Sequence, residues 1–289
     1  HIDGVQAWGK VPQRLNGTAI DSYAVSGHKI HAPKGVGALY VRRGYNLVRI
    51  HIPERFFVGW DILAKYRKNT EKDVSIPQTV AELEEVLDKG NLDRFDYLVA
   101  AFRKRGIYVT FDLAGRAMIT RVGTASHENG FKAHLFHSQV HRNHWKLFTD
   151  YLMKHVNPYT GAALKDDPVL FSLSLVNEND VYRTWFRSPE SAALYRERFA
   201  QWRKKHSLPE SPASTDNPVF ADFLSEVYME SYDDLKQFLR KIGVKIPLND
   251  QNATTALRTT VLRAAYDYVD IHKYWDHPVY VGVNRWNPP

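Results

Sequence analysis

The chain has 289 residues, of which 44% are hydrophobic and 25% charged, the composition of an ordinary globular protein with a real core. That excludes disorder, collagen and coiled coil, and no apolar run approaches the roughly 20 residues needed to span a bilayer. With no cysteine, disulfide scaffolds, zinc-thiolate sites, iron–sulfur clusters and cysteine nucleophiles are excluded too. The net charge of +7 is uneven: residues 1–49 carry seven Lys/Arg against two Asp, and the other 240 residues carry 32 against 30. The early basic residues are scattered among apolar ones and form no aromatic-interleaved stripe, so nucleic acid is not an expected partner. The chain opens on His1 with no signal peptide there, and the expectation is that its native start is missing.

In chain order, Asp21–Ser26 and Gly37–Arg42 read as two β-strands. Gly27, Pro33, Lys34, Gly35 and Gly37 lie between them, the turn chemistry of a hairpin or a loop-connected pair. From Tyr45 the rhythm becomes strand–helix alternation. Leu47–His51 predicts a buried strand. Leu92–Arg105 predicts an amphipathic helix with Leu92, Phe95, Leu98, Val99 and Phe102 on one face, ended by Gly106. Ile107–Leu113 is the next strand, 138–156 a helix, and Pro168–Val176 an apolar strand running into Asn177-Glu178-Asn179-Asp180. Helices follow over 189–205 and 218–242, then a strand over 244–248, a helix over 254–265 and a strand over 268–272. A last strand is expected at 279–283, and loops at 115–133 and 210–217.

Repeated β-α order, with polar residues where apolar strands end, predicts a parallel α/β fold. The long βα loops favour an incomplete (β/α)₈ barrel, with a short N-terminal β-hairpin segment of different character.

The stretches His1–Lys10 and Ser26-Gly-His-Lys-Ile-His-Ala-Pro-Lys-Gly-Val-Gly-Ala-Leu-Tyr40 resemble the cysteine desulfurases, a family of pyridoxal-phosphate enzymes, over residues 1–43. The resemblance implies that Lys29 forms the Schiff base, Asp3 pairs with the pyridinium nitrogen, Gln6 bonds the ring hydroxyl, and Ser26 and His28 hold phosphate and ring. An Asp beside the ring nitrogen makes the cofactor an electron sink. The sulfur-accepting thiolate of such enzymes has no counterpart in a chain without cysteine. Pyridoxal phosphate is therefore expected only as a relic signature, in a segment fused to another family.

Residues 45–289 resemble the (β/α)₈ glycoside hydrolases that include cellulases and mannanases. The matching stretches are Gly44–His51, Leu92–Leu98, Arg105–Leu113, Asn157–Gly161, Asp167–Leu170, Leu175–Asn179 and Asp270–Pro278, and they correspond to the second through sixth strands of such a barrel. The resemblance implies a retaining enzyme acting on a β-linked oligo- or polysaccharide without a cofactor. Glu178 would be its general acid/base and Asn177 the contact to the sugar 2-hydroxyl. Arg49, His272 and Tyr274 would line the cleft and orient the nucleophile, Trp275 would stack on a sugar ring, and Asn249 and Asp250 could reach the same cleft. The family's nucleophile is a Glu ending the seventh strand. Here no Glu follows Glu230, and Asp276 stands in the wrong motif position, so no turnover is expected from the chain as given. The alternatives are a desulfurase fragment without its catalytic Cys, or a non-catalytic carbohydrate-binding remnant.

His127, His134, His137, His141 and His144 cluster in sequence. His137, His141 and His144 share the i, i+4, i+7 spacing of one helix face. The zinc-protease motif is absent, and the expectation is solvated or hydrogen-bonded histidines on an exposed helix, with no metal.

Overall fold

A computed structural model describes residues 2–3, 22–26, 36–41, 46–51, 77–115, 132–250, 257–270 and 272. Among the described residues, seven strands form one mixed sheet in the order β1 to β7. They are β1 (Ile2–Asp3), β2 (Ser22–Ser26), β3 (Val36–Val41), β4 (Asn46–Ile50), β5 (Ile107–Asp112), β6 (Leu170–Ser174) and β7 (Leu248–Asn249). β1 and β2 are parallel, while β2–β3 and β3–β4 are antiparallel. From β4 to β7 every pair is parallel. The fold is thus mixed α/β with a parallel sheet, and the described strands run in an open order. The expected hairpin is β2–β3, and it covers the β4 edge of the parallel sheet.

The helices are α1 (Val80–Val86), α2 (Lys89–Lys104), α3 (Gln139–Lys154), α4 (Val181–Thr184), α5 (Pro189–Lys205), α6 (Pro218–Lys241) and α7 (Leu257–Leu262), with a further helical segment over 132–137. Their starts are written in capping chemistry. Asp88, Ser138, Ser188 and Asn217 each accept a backbone N–H of the first turn, and Pro189 and Pro218 occupy the first turn where no N–H is needed. α1, unforeseen in the sequence, begins with a capping box between Thr79 and Glu82.

Alternation along the parallel strands separates two faces. One carries Ile50, Val109, Phe111, Leu173 and Leu248 into a core with Phe95, Val99, Trp145, Phe148, Tyr195, Phe220 and Leu224 of the helices. The Phe95 and Phe111 rings meet edge to face at 5.8 Å. The other face is polar, with Arg49, Thr110, Asp112, Ser172, Ser174 and Asn249. The register places Arg49 beside Thr110 beside Ser172, and Asp112 beside Ser174 beside Asn249. Hydroxyls meet along the first row, with Thr110 Oγ1 2.8 Å from Ser172 Oγ and Tyr268 OH donating to Ser172 Oγ at 3.0 Å.

Three expectations need correction. The strand at 244–248 shrinks to Leu248–Asn249, since Lys245 and Pro247 flank it with a polar side chain and a missing donor. Residues 268–270 and 272 form no strand, because Tyr266 and Asp267 follow a 3₁₀ turn at Arg263–Ala265 whose end is pinned by Asp267 N–H donating to Leu248 O at 3.0 Å. The histidines are hydrogen-bonded, His141 to Ser138 and His144 to Pro77 O, but their face of the helix is not exposed. His144 is fully buried, and His137 and His141 are half-buried. Ser138, the N-cap, also separates His137 from the helix of His141 and His144. The expected strand at 279–283 lies outside the described residues.

Candidate active site at the strand ends

Because β4 to β7 are parallel, their C-terminal ends lie on one side, and the polar face delivers its side chains there. The backbone ladder continues past the strands: Leu113 N–H donates to Ser174 O at 2.9 Å, Asn177 N–H to Ala114 O at 2.8 Å and Leu175 N–H to Asn249 O at 2.9 Å. Trp145 Nε1–H donates to Leu175 O at 3.2 Å and ties α3 to the same turn. Asn177 and Glu178 are therefore held by β5, β7 and a helix.

Arg49 is the hub. Its Nη2 donates to Asp112 Oδ2 at 2.9 Å and to Asn177 Oδ1 at 2.9 Å, and its Nε reaches Asp112 Oδ2 at 3.2 Å. Asp112 is fully buried and also accepts from His51 Nδ1 at 2.9 Å. Burial pushes the Asp112 carboxyl up, but Arg49 and His51 together outweigh it and hold it below the usual range. Arg49 Nη1 lies 3.5 Å from Asp270 Oδ2 and touches His272 Nε2.

His272 joins the two ends of the cluster. Its Nδ1 is 3.2 Å from Glu178 Oε1, and its Nε2 is 3.6 Å from Asp270 Oδ2. Burial lowers the imidazole, but hydrogen bonds to Asp270 and Glu178 raise it by more. The contact of Nε2 with Arg49 is attractive for the neutral ring, which accepts, and repulsive for the imidazolium. Glu178 is half-exposed, and its carboxyl is lowered to about 2, first by the hydrogen bond to His272 and against the effect of burial. It sits at a left-handed φ of 50°, a conformation disfavoured for a residue with a β-carbon.

The sequence-derived candidates thus divide. Arg49, Asn177, Glu178 and His272 come together. Asn249 ends β7 but is fully buried, with both amide atoms lacking hydrogen-bond partners. Asp250 turns to the helix side, accepting from Asn179 Nδ2 and Tyr228 OH at 3.0 Å each. Tyr274 and Trp275 lie outside the described residues. The sequence reading missed Asp112, His51, Asp270 and Lys132. Asp112 was signalled, as a polar residue closing an apolar strand. Lys132 had no signal at all, and its ammonium donates to the carbonyls of Asn177 and Glu178. Among the described residues no group of histidine or acidic side chains is arranged to hold a metal ion, and no helix is long and apolar enough to cross a membrane.

Residues 1–52 match the family model Aminotransferase class-V, so the N-terminal segment is a fragment similar to that class. Within the class the similarity is to cysteine desulfurases. The chain is 64% identical over 44 residues to that of Nostoc sp., covering 15% of this chain and 11% of the relative. To that of Gluconacetobacter diazotrophicus it is 62% identical over 47 residues, covering 16% and 12%. The chain thus spans about one ninth of the length of these relatives. Among solved structures, two endo-1,4-β-mannanase chains from Thermotoga petrophila are weakly similar. One has a TM-score of 0.35 and 14% identity over 56% of this chain and 27% of that one; the other has 0.27 and 16% over 60% and 63%.

The class-V similarity implies pyridoxal phosphate. Asp3 falls on β1 and Ser26 on the parallel neighbour β2, while Gln6, His28 and Lys29 lie outside the described residues. A chain without a thiol lacks the sulfur acceptor of a desulfurase.

Proposed function

We propose that residues 45–289 are a glycoside hydrolase-like unit of the retaining type, which recognises a β-linked glycan at the strand ends and does not turn it over. The observation that carries this reading is the convergence of Arg49, Asp112, Asn177, Glu178 and His272 where the parallel strands end. Asn177 has its Oδ1 committed to Arg49, so its Nδ2–H is the donor it offers a sugar hydroxyl. Glu178 is the acid/base of this reading, and Trp275 the stacking platform. Residues 1–43 are a relic of a pyridoxal-phosphate enzyme, without that chemistry.

Two features favour binding over turnover. A general acid must carry its proton near neutral pH. With its carboxyl lowered to about 2 by the hydrogen bond to His272, Glu178 holds no proton to give near neutral pH. Retention also needs a second carboxylate about 5 Å away across the scissile bond. Among the described residues, Asp112 and Asp270 are the other carboxylates of the Arg49 cluster, and both are paired with Arg49. Glu230, the last Glu of the sequence, lies on α6 in ion pairs with Arg142 and Arg198.

Titration of tryptophan fluorescence with cello- and manno-oligosaccharides tests the proposal. Saturable binding is expected, weakened about tenfold in Asn177→Ala, the loss of one hydrogen bond to a buried partner, with no reducing ends released. Absence of binding to every β-linked oligosaccharide would overturn recognition. Hydrolysis abolished by Glu178→Gln would overturn the claim of no turnover.

A further inference from the structure

The buried ammonium of Lys132 has no role in the reading above. Resting on that reading of Glu178, we propose that Lys132 is a positioning residue whose ammonium clamps the consecutive carbonyls of Asn177 and Glu178 and so fixes the turn that presents the Glu178 carboxylate.

Lys132 donates to Asn177 O and, at 3.2 Å, to Glu178 O. Two successive carbonyls can face one cation only if the chain turns between them, and the turn is at Glu178, the residue with φ 50°. A side chain with a β-carbon stays in that region only when its surroundings hold it there. Lys132 supplies a hold that water does not, since it is buried and must find acceptors.

The base from which it reaches is rigid. Lys132 belongs to the helical segment 132–137, three of whose carbonyls are bonded from three helices. Tyr195 OH of α5 donates to Ala133 O at 2.9 Å, Ser231 Oγ of α6 to Leu135 O at 3.3 Å, and Arg142 Nη1 of α3 to Phe136 O at 3.0 Å. The helix layer therefore dictates where the ammonium lies, and the ammonium dictates the turn. Its charge also adds to the pull of His272 on the Glu178 carboxyl.

The test is NMR on the full chain, comparing Lys132→Met and Lys132→Arg with the wild type. It reads the Glu178 backbone couplings that report φ and the titration of its ¹³C-labelled carboxyl. In the wild type, Glu178 should show a positive φ and stay ionised to the acid limit of the fold. Lys132→Met should lose the positive-φ signature and raise the carboxyl midpoint by about one unit, the effect of removing a nearby opposite charge. Lys132→Arg, which keeps charge and donors, should restore both. A folded Lys132→Met protein with both readouts unchanged would overturn the proposal. If that variant does not fold, the wild type decides: slow exchange of the Lys132 ammonium and couplings across hydrogen bonds to the two carbonyls support the clamp, and fast exchange without them overturns it. No sugar enters these measurements. Unmoved readouts beside intact glycan binding would sink the Lys132 role alone, and moved readouts without any glycan binding would sink the functional reading alone.

Discussion

At the scale of single residues, the site is organised around a buried carboxylate. Asp112 takes two hydrogen bonds from Arg49 Nη2, at 2.9 and 3.0 Å, and one from His51, and its surroundings replace the water it has lost. Asp112→Asn keeps the shape and removes the charge, leaving Arg49 to Asp270 alone. Removing one partner of a buried ion pair strands the other, so the expected loss is about 3 kcal/mol of unfolding free energy, read by urea denaturation at pH 7. The pH dependence has a definite sign. A carboxyl held below its unfolded value near 3.9 contributes stability that is fully present above that pH and fades as pH falls through the folded value. The Asp112→Asn protein should therefore lie parallel to the wild type above pH 4 and converge with it in acid. Parallel curves down to the acid limit would show that the Asp112 carboxyl titrates in the native state as it does in the unfolded chain. Asp112 was within reach of sequence reasoning, as a polar residue ending an apolar strand. Lys132 was not, because its contacts are to backbone carbonyls 45 and 46 residues away, and no pattern of residue types encodes that.

At the scale of elements, sequence reasoning succeeded where local chemistry decides. α5 begins at Ser188-Pro189 and α6 at Asn217-Pro218, each with an N-cap and a first-turn proline, and both lie where the periodicity predicts them. β4, β5 and β6 fall within a few residues of their apolar runs. It failed where tertiary contacts decide. The 268–272 stretch is apolar and β-branched enough for a strand, yet Tyr268 spends its hydroxyl on Ser172 and Asp270 pairs with Arg49. The histidine-rich stretch reads as polar, yet its rings pack on one another: His134 stacks on His141 at 4.9 Å and meets His137 edge-on at 5.0 Å. Burial first, then the neighbouring charges of His134, Arg198, His141 and Arg142, lowers His137 to about 3. Burial lowers His141 and His144 to about 4. In the unfolded chain these rings bind protons near pH 6.5, so the unfolded state gains protons first as pH falls, and native stability drops from there downward. Each ring should cost about 1–2 kcal/mol between pH 7 and pH 5. His137→Gln with His141→Gln should flatten that part of the stability–pH curve, measured by denaturant unfolding at both pH values. An unchanged slope would show that these rings titrate in the native state as they do in the unfolded chain.

At the scale of the whole molecule, the question is whether residues 1–43 are a passenger or part of the fold. They lie within residues 1–52, which match the class-V aminotransferase model, a span that takes in β3 and the whole of β4. In the sheet they are not separate. β3 pairs with β4 from Val36–Ile50 to Leu39–Leu47, and β2 pairs with β3 along its length. Without this hairpin, β4 becomes an edge with unpaired N–H and C=O groups beside the buried Val48 and Ile50, the kind of flat apolar edge that recruits other chains. β4 also carries Arg49, the hub of the site, so fraying of that edge would reach Asp112 and Asn177 directly. A chain beginning at Gly44 should therefore melt about 5 °C or more below the full chain, a shift that corresponds to one or two kcal/mol for a domain of this size. It should also elute partly as oligomers in size-exclusion chromatography. Equal melting temperatures and a clean monomer would make the N-terminal segment a passenger. The predicted result would mean that a segment similar to class-V aminotransferases serves this chain as the cover of its parallel sheet, through backbone hydrogen bonds.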